Sequence, residues 1–111
     1  HEPRVREYVA AFNARDIDAM LAMVTEDVQW ISVAGHTVAT ETEGKARLRE
    51  SLTAYFASMP TARSELVWVQ ATASRVAAYE RVRWQGASGP RSQAGLAVYE
   101  FEGRLIARVY Y

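Results

Sequence analysis

The chain has 111 residues, half of them apolar, with thirteen Lys and Arg against thirteen Asp and Glu and no cysteine. That length supports one core and one domain, 1–111, and the balanced charge offers no basic field to hold nucleic acid or an anionic membrane surface. Without cysteine there are no disulfides, thiolate nucleophiles or cysteine-ligated metals, and no apolar run approaches the roughly 20 residues that span a bilayer.

The expected setting is therefore soluble and cytoplasmic. No signal-peptide pattern is visible, and His1 reads as a processed terminus or tag remnant with no functional weight. From Pro3 to Ala14, Val5, Tyr8, Val9 and Phe12 recur at spacings of three and four, which predicts a first helix with Pro3 in its first turn. Asp16 reads as the N-cap of a second, short helix whose residues Ile17, Met20, Leu21 and Val24 keep the period until Thr25-Glu26-Asp27.

Val28–Val33 is β-branched and aromatic and predicts a strand, followed by an exposed polar loop over Ala34-Gly35-His36 and Thr37–Glu43. A third helix is expected from about Gly44 to Ser58, with Leu48, Leu52, Tyr55 and Phe56 as its apolar stripe, Lys45, Arg47, Arg49 and Glu50 on its solvated side, and Pro60 closing it. Four strand-like runs follow, Glu65–Ala71, Arg75–Gln85, Gln93–Phe101 and Leu105–Tyr111, separated by turn-rich segments. Helices followed by adjacent strands specify an α+β layering, and with no helix between the strands a parallel nucleotide-binding sheet is not expected.

The segment Val5 to Asp18 resembles the opening of bacterial ketosteroid isomerases, in the order Tyr-Val-Ala-Ala-x-Asn-Ala-x-Asp-x-Asp from Tyr8. The helix start Glu43-Gly44-Lys45 resembles the wider nuclear transport factor 2-like superfamily, which includes the SnoaL-like group. The resemblance implies three N-terminal helices packed on a strongly curved antiparallel sheet that forms a cone with an internal pocket, a cystatin-like roll. It also implies an oxyanion hole built from a Tyr on the first helix and a protonated Asp on a late strand, with a second Asp as base. Tyr8 matches the first role. Ungapped alignment brings the base position to Ser32 and the acid position to Ala97. A serine hydroxyl is no base near neutral pH and alanine donates nothing, so the usual steroid isomerisation machinery is not expected.

Other residues could carry chemistry. Carried onto the second of the late strands, the alignment and the period of two turn Ala78, Glu80, Val82 and Trp84 inward and Tyr79, Arg81 and Arg83 outward; on the last strand the same parity turns Arg108 and Tyr110 inward. A Glu80–Arg108 pair follows, to be read either as a polarised pair acting on a substrate or as a buried structural salt bridge. His36 is a replacement base or an exposed loop histidine. Tyr8 is a donor to a ligand carbonyl or a core residue satisfied locally. Phe12, Trp30, Phe56, Trp84 and Tyr99 offer aromatic surface to a flat ligand, with Ser32, Val82, Ala97 and Tyr110 as further wall, although a small core would bury several of them in any case. Glu41 and Glu43 read as carboxylates favoured beside a helix N-terminus, and no spacing of His and carboxylates suggests a metal.

These features suggest a cofactor-free acid–base enzyme, an isomerase, cyclase or hydratase/hydrolase, acting on a small apolar or cyclic molecule. The alternative is a non-catalytic domain that binds an apolar ligand or dimerises. A homodimer is expected through the outer sheet face carrying Tyr79, Val98 and Val109.

Overall fold

The computed structural model describes residues 1–111. Helix α1 (Glu2–Asn13) buries Val5, Tyr8, Val9 and Ala11 along one face, as its spacing requires. It ends in a Schellman turn, with the N–H of Arg15 on the Phe12 carbonyl at 3.0 Å and the N–H of Asp16 on the Ala11 carbonyl at 2.9 Å. Arg15 takes the left-handed conformation, φ +61°, that glycine usually fills here. Its guanidinium lies 4.8 Å from the centre of the Phe56 ring and donates to the Pro60 carbonyl at 2.8 Å, contacts that offset the backbone cost.

Asp16 caps α2 (Ile17–Ala22) by accepting the N–H of Ala19 at 3.0 Å. The helix stops earlier than its periodicity predicts, because Val24 already belongs to strand β1 (Val24–Ala34), where its side chain is fully buried beside Ile106. The segment Thr37–Glu43, expected as a loop, is strand β2. Gly35, at φ +61°, lets a two-residue turn fold β2 antiparallel onto β1, and the Thr- and Val-rich sequence suits a half-exposed edge. Helix α3 (Lys45–Ser58) follows and buries Leu48 and Leu52.

Strands β3 (Arg63–Ala71), β4 (Arg75–Gly86), β5 (Gly89–Glu102) and β6 (Leu105–Tyr110) complete one six-stranded sheet in the order β2-β1-β6-β5-β4-β3. The chain folds back by tight hairpins at β4–β5 and β5–β6, so the sheet is antiparallel except where β1 lies parallel to β6. That single parallel pair arises because β1 precedes α3 and the meander, and β6 returns to its free edge. The sheet curves without closing and the three helices pack on it. Val5, Met20, Val24, Val28, Val76 and Ile106, none of them solvent-accessible, form the centre of the core.

Candidate functional site

The helices and the sheet enclose a cavity of about 610 Å³, and 17 of its 23 lining residues are apolar, so its occupant must be largely apolar too. Helix α1 contributes Tyr8 and Phe12, β1 contributes Trp30, and α3 contributes Leu52 and Tyr55. The alternation along β4 turns Glu80, Val82 and Trp84 inward, with Ala97 and Tyr99 beside them on β5.

Glu80 is the one carboxylate in this lining. The Tyr99 hydroxyl donates to its Oε2 at 2.7 Å. Burial pushes the Glu80 carboxyl above the usual carboxylate range, opposed by the Tyr99 hydrogen bond and the neighbouring Ser64 hydroxyl. Ser64 Oγ meets no hydrogen-bond partner by geometry, so Tyr99 is the contact that holds the carboxylate in place.

Burial and then the Glu80 charge push the phenols of Tyr8 and Tyr99 upward, so both remain protonated donors. Tyr99 spends its donor on Glu80, whereas the buried hydroxyl of Tyr8 has no partner. An unmet buried hydroxyl costs on the order of 1–3 kcal/mol, and the Tyr8 side chain stands among rings, 5.9 Å from Trp30 and 6.5 Å from Tyr99 between centroids. The cavity thus presents one partly buried carboxylate on apolar walls, with the unpartnered Tyr8 hydroxyl set within the wall.

Several expected placements differ. Arg108 does not meet Glu80; on the outer face it donates to Glu100, which Arg75 also contacts at 2.9 Å. Arg108 first, then Arg75, holds the Glu100 carboxyl below the usual range. The cause is a register shift between Glu100 and Phe101: Phe101 faces Ile106 but Glu100 faces Arg108, so Ala107 is an extra residue that reverses the parity of the final strand. Val109 therefore points inward, 2% exposed, and Tyr110 does not line the cavity, whereas Tyr111 does.

His36 sits in the exposed β1–β2 turn, away from the lining, because β2 separates it from α3. Ser32 is also outside the lining; its hydroxyl donates to Glu41 at 2.8 Å. Glu41 and Glu43 are strand residues rather than helix caps, and Glu43 accepts from Gln29 at 2.7 Å. Phe56 supports the wall from behind, edge-on to Phe12 at 5.1 Å.

The sequence reasoning missed Thr42, Ser51, Tyr55, Ser64 and Tyr111 as lining residues. Tyr55 was visible in the apolar stripe of α3. Thr42 required recognising β2 as a strand, and Ser64 required starting β3 two residues earlier.

A family model for the SnoaL-like domain matches residues 5–109, and the chain belongs to that family. No curated protein matches the sequence at a significant level. Among solved structures, an uncharacterised cystatin-fold protein from Novosphingobium aromaticivorans superposes with a TM-score of 0.84 at 28% identity, over 97% of this chain and 93% of its own. A Pseudomonas putida protein with the provisional name polyketide cyclase gives a TM-score of 0.73 at 30% identity, over 96% of this chain and 86% of its own. TerC, co-crystallised with polyporic acid, shares the fold at a TM-score of 0.80 and 18% identity, covering 97% of this chain and 86% of its own.

Proposed function

We propose that this SnoaL-like domain takes a small, largely apolar molecule bearing a carbonyl or similar oxygen into the cone and moves a proton on it without a cofactor. The observation that carries the reading is the pairing of a lone, partly buried Glu80 with a buried Tyr8 hydroxyl that nothing in the protein satisfies.

Glu80, in its ionised form, is the proton acceptor. Removing water from a carboxylate raises its proton affinity, which brings it closer to the range where a general base works best at neutral pH. Tyr99 fixes one carboxylate oxygen and leaves the other to receive a proton from the carbon beside the substrate oxygen. The electron pair of that C–H bond moves toward the oxygen, where the Tyr8 O–H donates to the developing negative charge in surroundings that strengthen the contact. Return of the proton to a different atom completes an isomerisation; attack by the carbanion on a second carbonyl, whose π pair moves to its oxygen and takes the proton back from Glu80, completes a ring closure. The aromatic walls favour a flat ring system; TerC, on the same fold, was co-crystallised with polyporic acid.

A fluorescence titration with 2-naphthol, an apolar ring with one oxygen, tests the site. The expected result is saturable binding that Tyr8→Phe weakens about five- to tenfold, the equivalent of one lost hydrogen bond of about 1 kcal/mol. Equal binding by the two proteins would remove Tyr8 from the site. A binding domain without turnover is the second reading, favoured by the absence of a carboxylate at Ser32 and Ala97.

The same reading includes a homodimer through the outer sheet face. Register aligns Trp68, Tyr79 and Leu96 in one row across β3, β4 and β5, with Trp68 50% and Leu96 67% exposed. Val109, expected on that face, points inward instead.

A further inference from the structure

At the end of the β3–β4–β5 ribbon away from β6 lies a second cavity of about 610 Å³ with a different character. Its lining holds one apolar residue, three arginines (Arg63, Arg83 and Arg91) and a single carboxylate, Glu65.

The register sets Arg63 opposite Arg83, and Arg83 opposite Ser92, in one row across three strands. By the alternation of strands, this row faces away from the row Ser64–Val82–Gln93 that lines the cone, whereas Arg91, opposite Trp84, stands on the cone side. Like charges directly opposite in a sheet destabilise it, and little in the protein offsets this pair. Glu65 Oε1 lies 3.7 Å from Arg83 Nη2 and 3.8 Å from Arg81 Nη1, beyond hydrogen-bond reach. Arg63 and Arg91 form no ion pair at all.

One local contact holds the groove in shape. The Thr61 hydroxyl accepts the N–H of Gln85 at 2.8 Å and ties the approach to β3 onto the end of β4. Guanidinium groups offer several N–H donors in a planar fork and no acceptor, which suits an anion with two or three oxygens.

We propose that Arg63 and Arg83 form an oxyanion site, on the sheet face opposite the cone, that receives a phosphate or carboxylate group. The bound anion supplies the countercharge that the Arg63–Arg83 pair lacks.

Calorimetric titration of phenyl phosphate, benzoate and inorganic phosphate at low ionic strength tests this. At least one anion saturates the wild-type protein, and Arg63→Gln and Arg83→Gln each weaken it about tenfold or more, as loss of a charge-assisted contact requires. Arg104→Gln, in the β5–β6 turn, leaves the affinity unchanged. Preference for phenyl phosphate or for benzoate identifies the natural group as phosphate or carboxylate. Because Arg63→Gln and Arg83→Gln remove a repulsion, they keep or raise Tm in anion-free buffer; added anion then raises Tm in the wild type and not in them. Saturating 2-naphthol in the cone leaves the anion affinity unaltered. Absence of saturable binding by all three anions, a loss in Arg104→Gln equal to that in Arg83→Gln, or competition by 2-naphthol would each overturn the proposal without touching the assignment of the cone.

Discussion

Glu80 is costly where it stands, and that cost has a readable sign. Its folded-state pKa lies above that of an exposed glutamate because burial disfavours the charge. Folding thus favours the protonated form: the associated stability is present in full below the unfolded pKa and is lost as pH rises through the folded one. Glu80→Gln, which keeps an acceptor for Tyr99, should therefore be more stable than the wild type at neutral pH, with the difference vanishing in acid. Denaturant unfolding of both proteins from about pH 4 to about pH 8 checks this; parallel pH dependences would show that Glu80 is not desolvated. The residue itself was legible from the alternation of β4 together with the resemblance of the opening segment. Its expected partner was not, since one extra residue, Ala107, reverses the side chains of β6 that follow it, and the bulge leaves no local mark in the sequence. The role of Tyr99 escaped for a related reason: it could be placed on the wall, but its hydrogen bond to Glu80 depends on how two strands pair.

Elements whose own sequence carries their caps were the legible ones. Asp16 stops one helix turn and starts the next, and its cap on Ala19 sets the angle at which α1 and α2 enter the core. Asp16→Ala should cost about 1 kcal/mol of stability, measurable as a lower denaturation midpoint with an unchanged slope; a loss below a few tenths would show that the Schellman turn alone holds the corner. β2 was misread because its polar residues Thr37, Thr40, Glu41 and Thr42 look like a loop, yet an edge strand with neither face fully buried needs no apolar alternation. What made it a strand was Gly35 in the turn together with an open β1 edge, and the second of these is a tertiary fact. With β2 in place, His36 moves to a turn tip and Ser32 pairs with Glu41, which removes both from the candidate chemistry.

For the whole molecule, the order of helices and meander specified the α+β class, and the resemblance supplied the cone; the parallel contact of β1 with β6, made by segments at opposite ends of the chain, lay beyond any local pattern. The outer row of Trp68, Tyr79 and Leu96 leads to an assembly prediction. The wild type should sediment as a dimer at micromolar concentration and Trp68→Glu as a monomer, since a charge there would be buried unpaired on association; a monomeric wild type would contradict it. The central claim, that the cone sets Glu80 to accept a proton from a bound molecule, is tested most directly by the turnover of 5-nitrobenzisoxazole. In that reaction a base takes one C–H proton, the N–O bond breaks, and a coloured phenolate is released. The account predicts a rate that rises with pH through a single ionisation above the usual carboxylate range and falls about a hundredfold or more in Glu80→Gln; equal rates in the two proteins at every pH would contradict it.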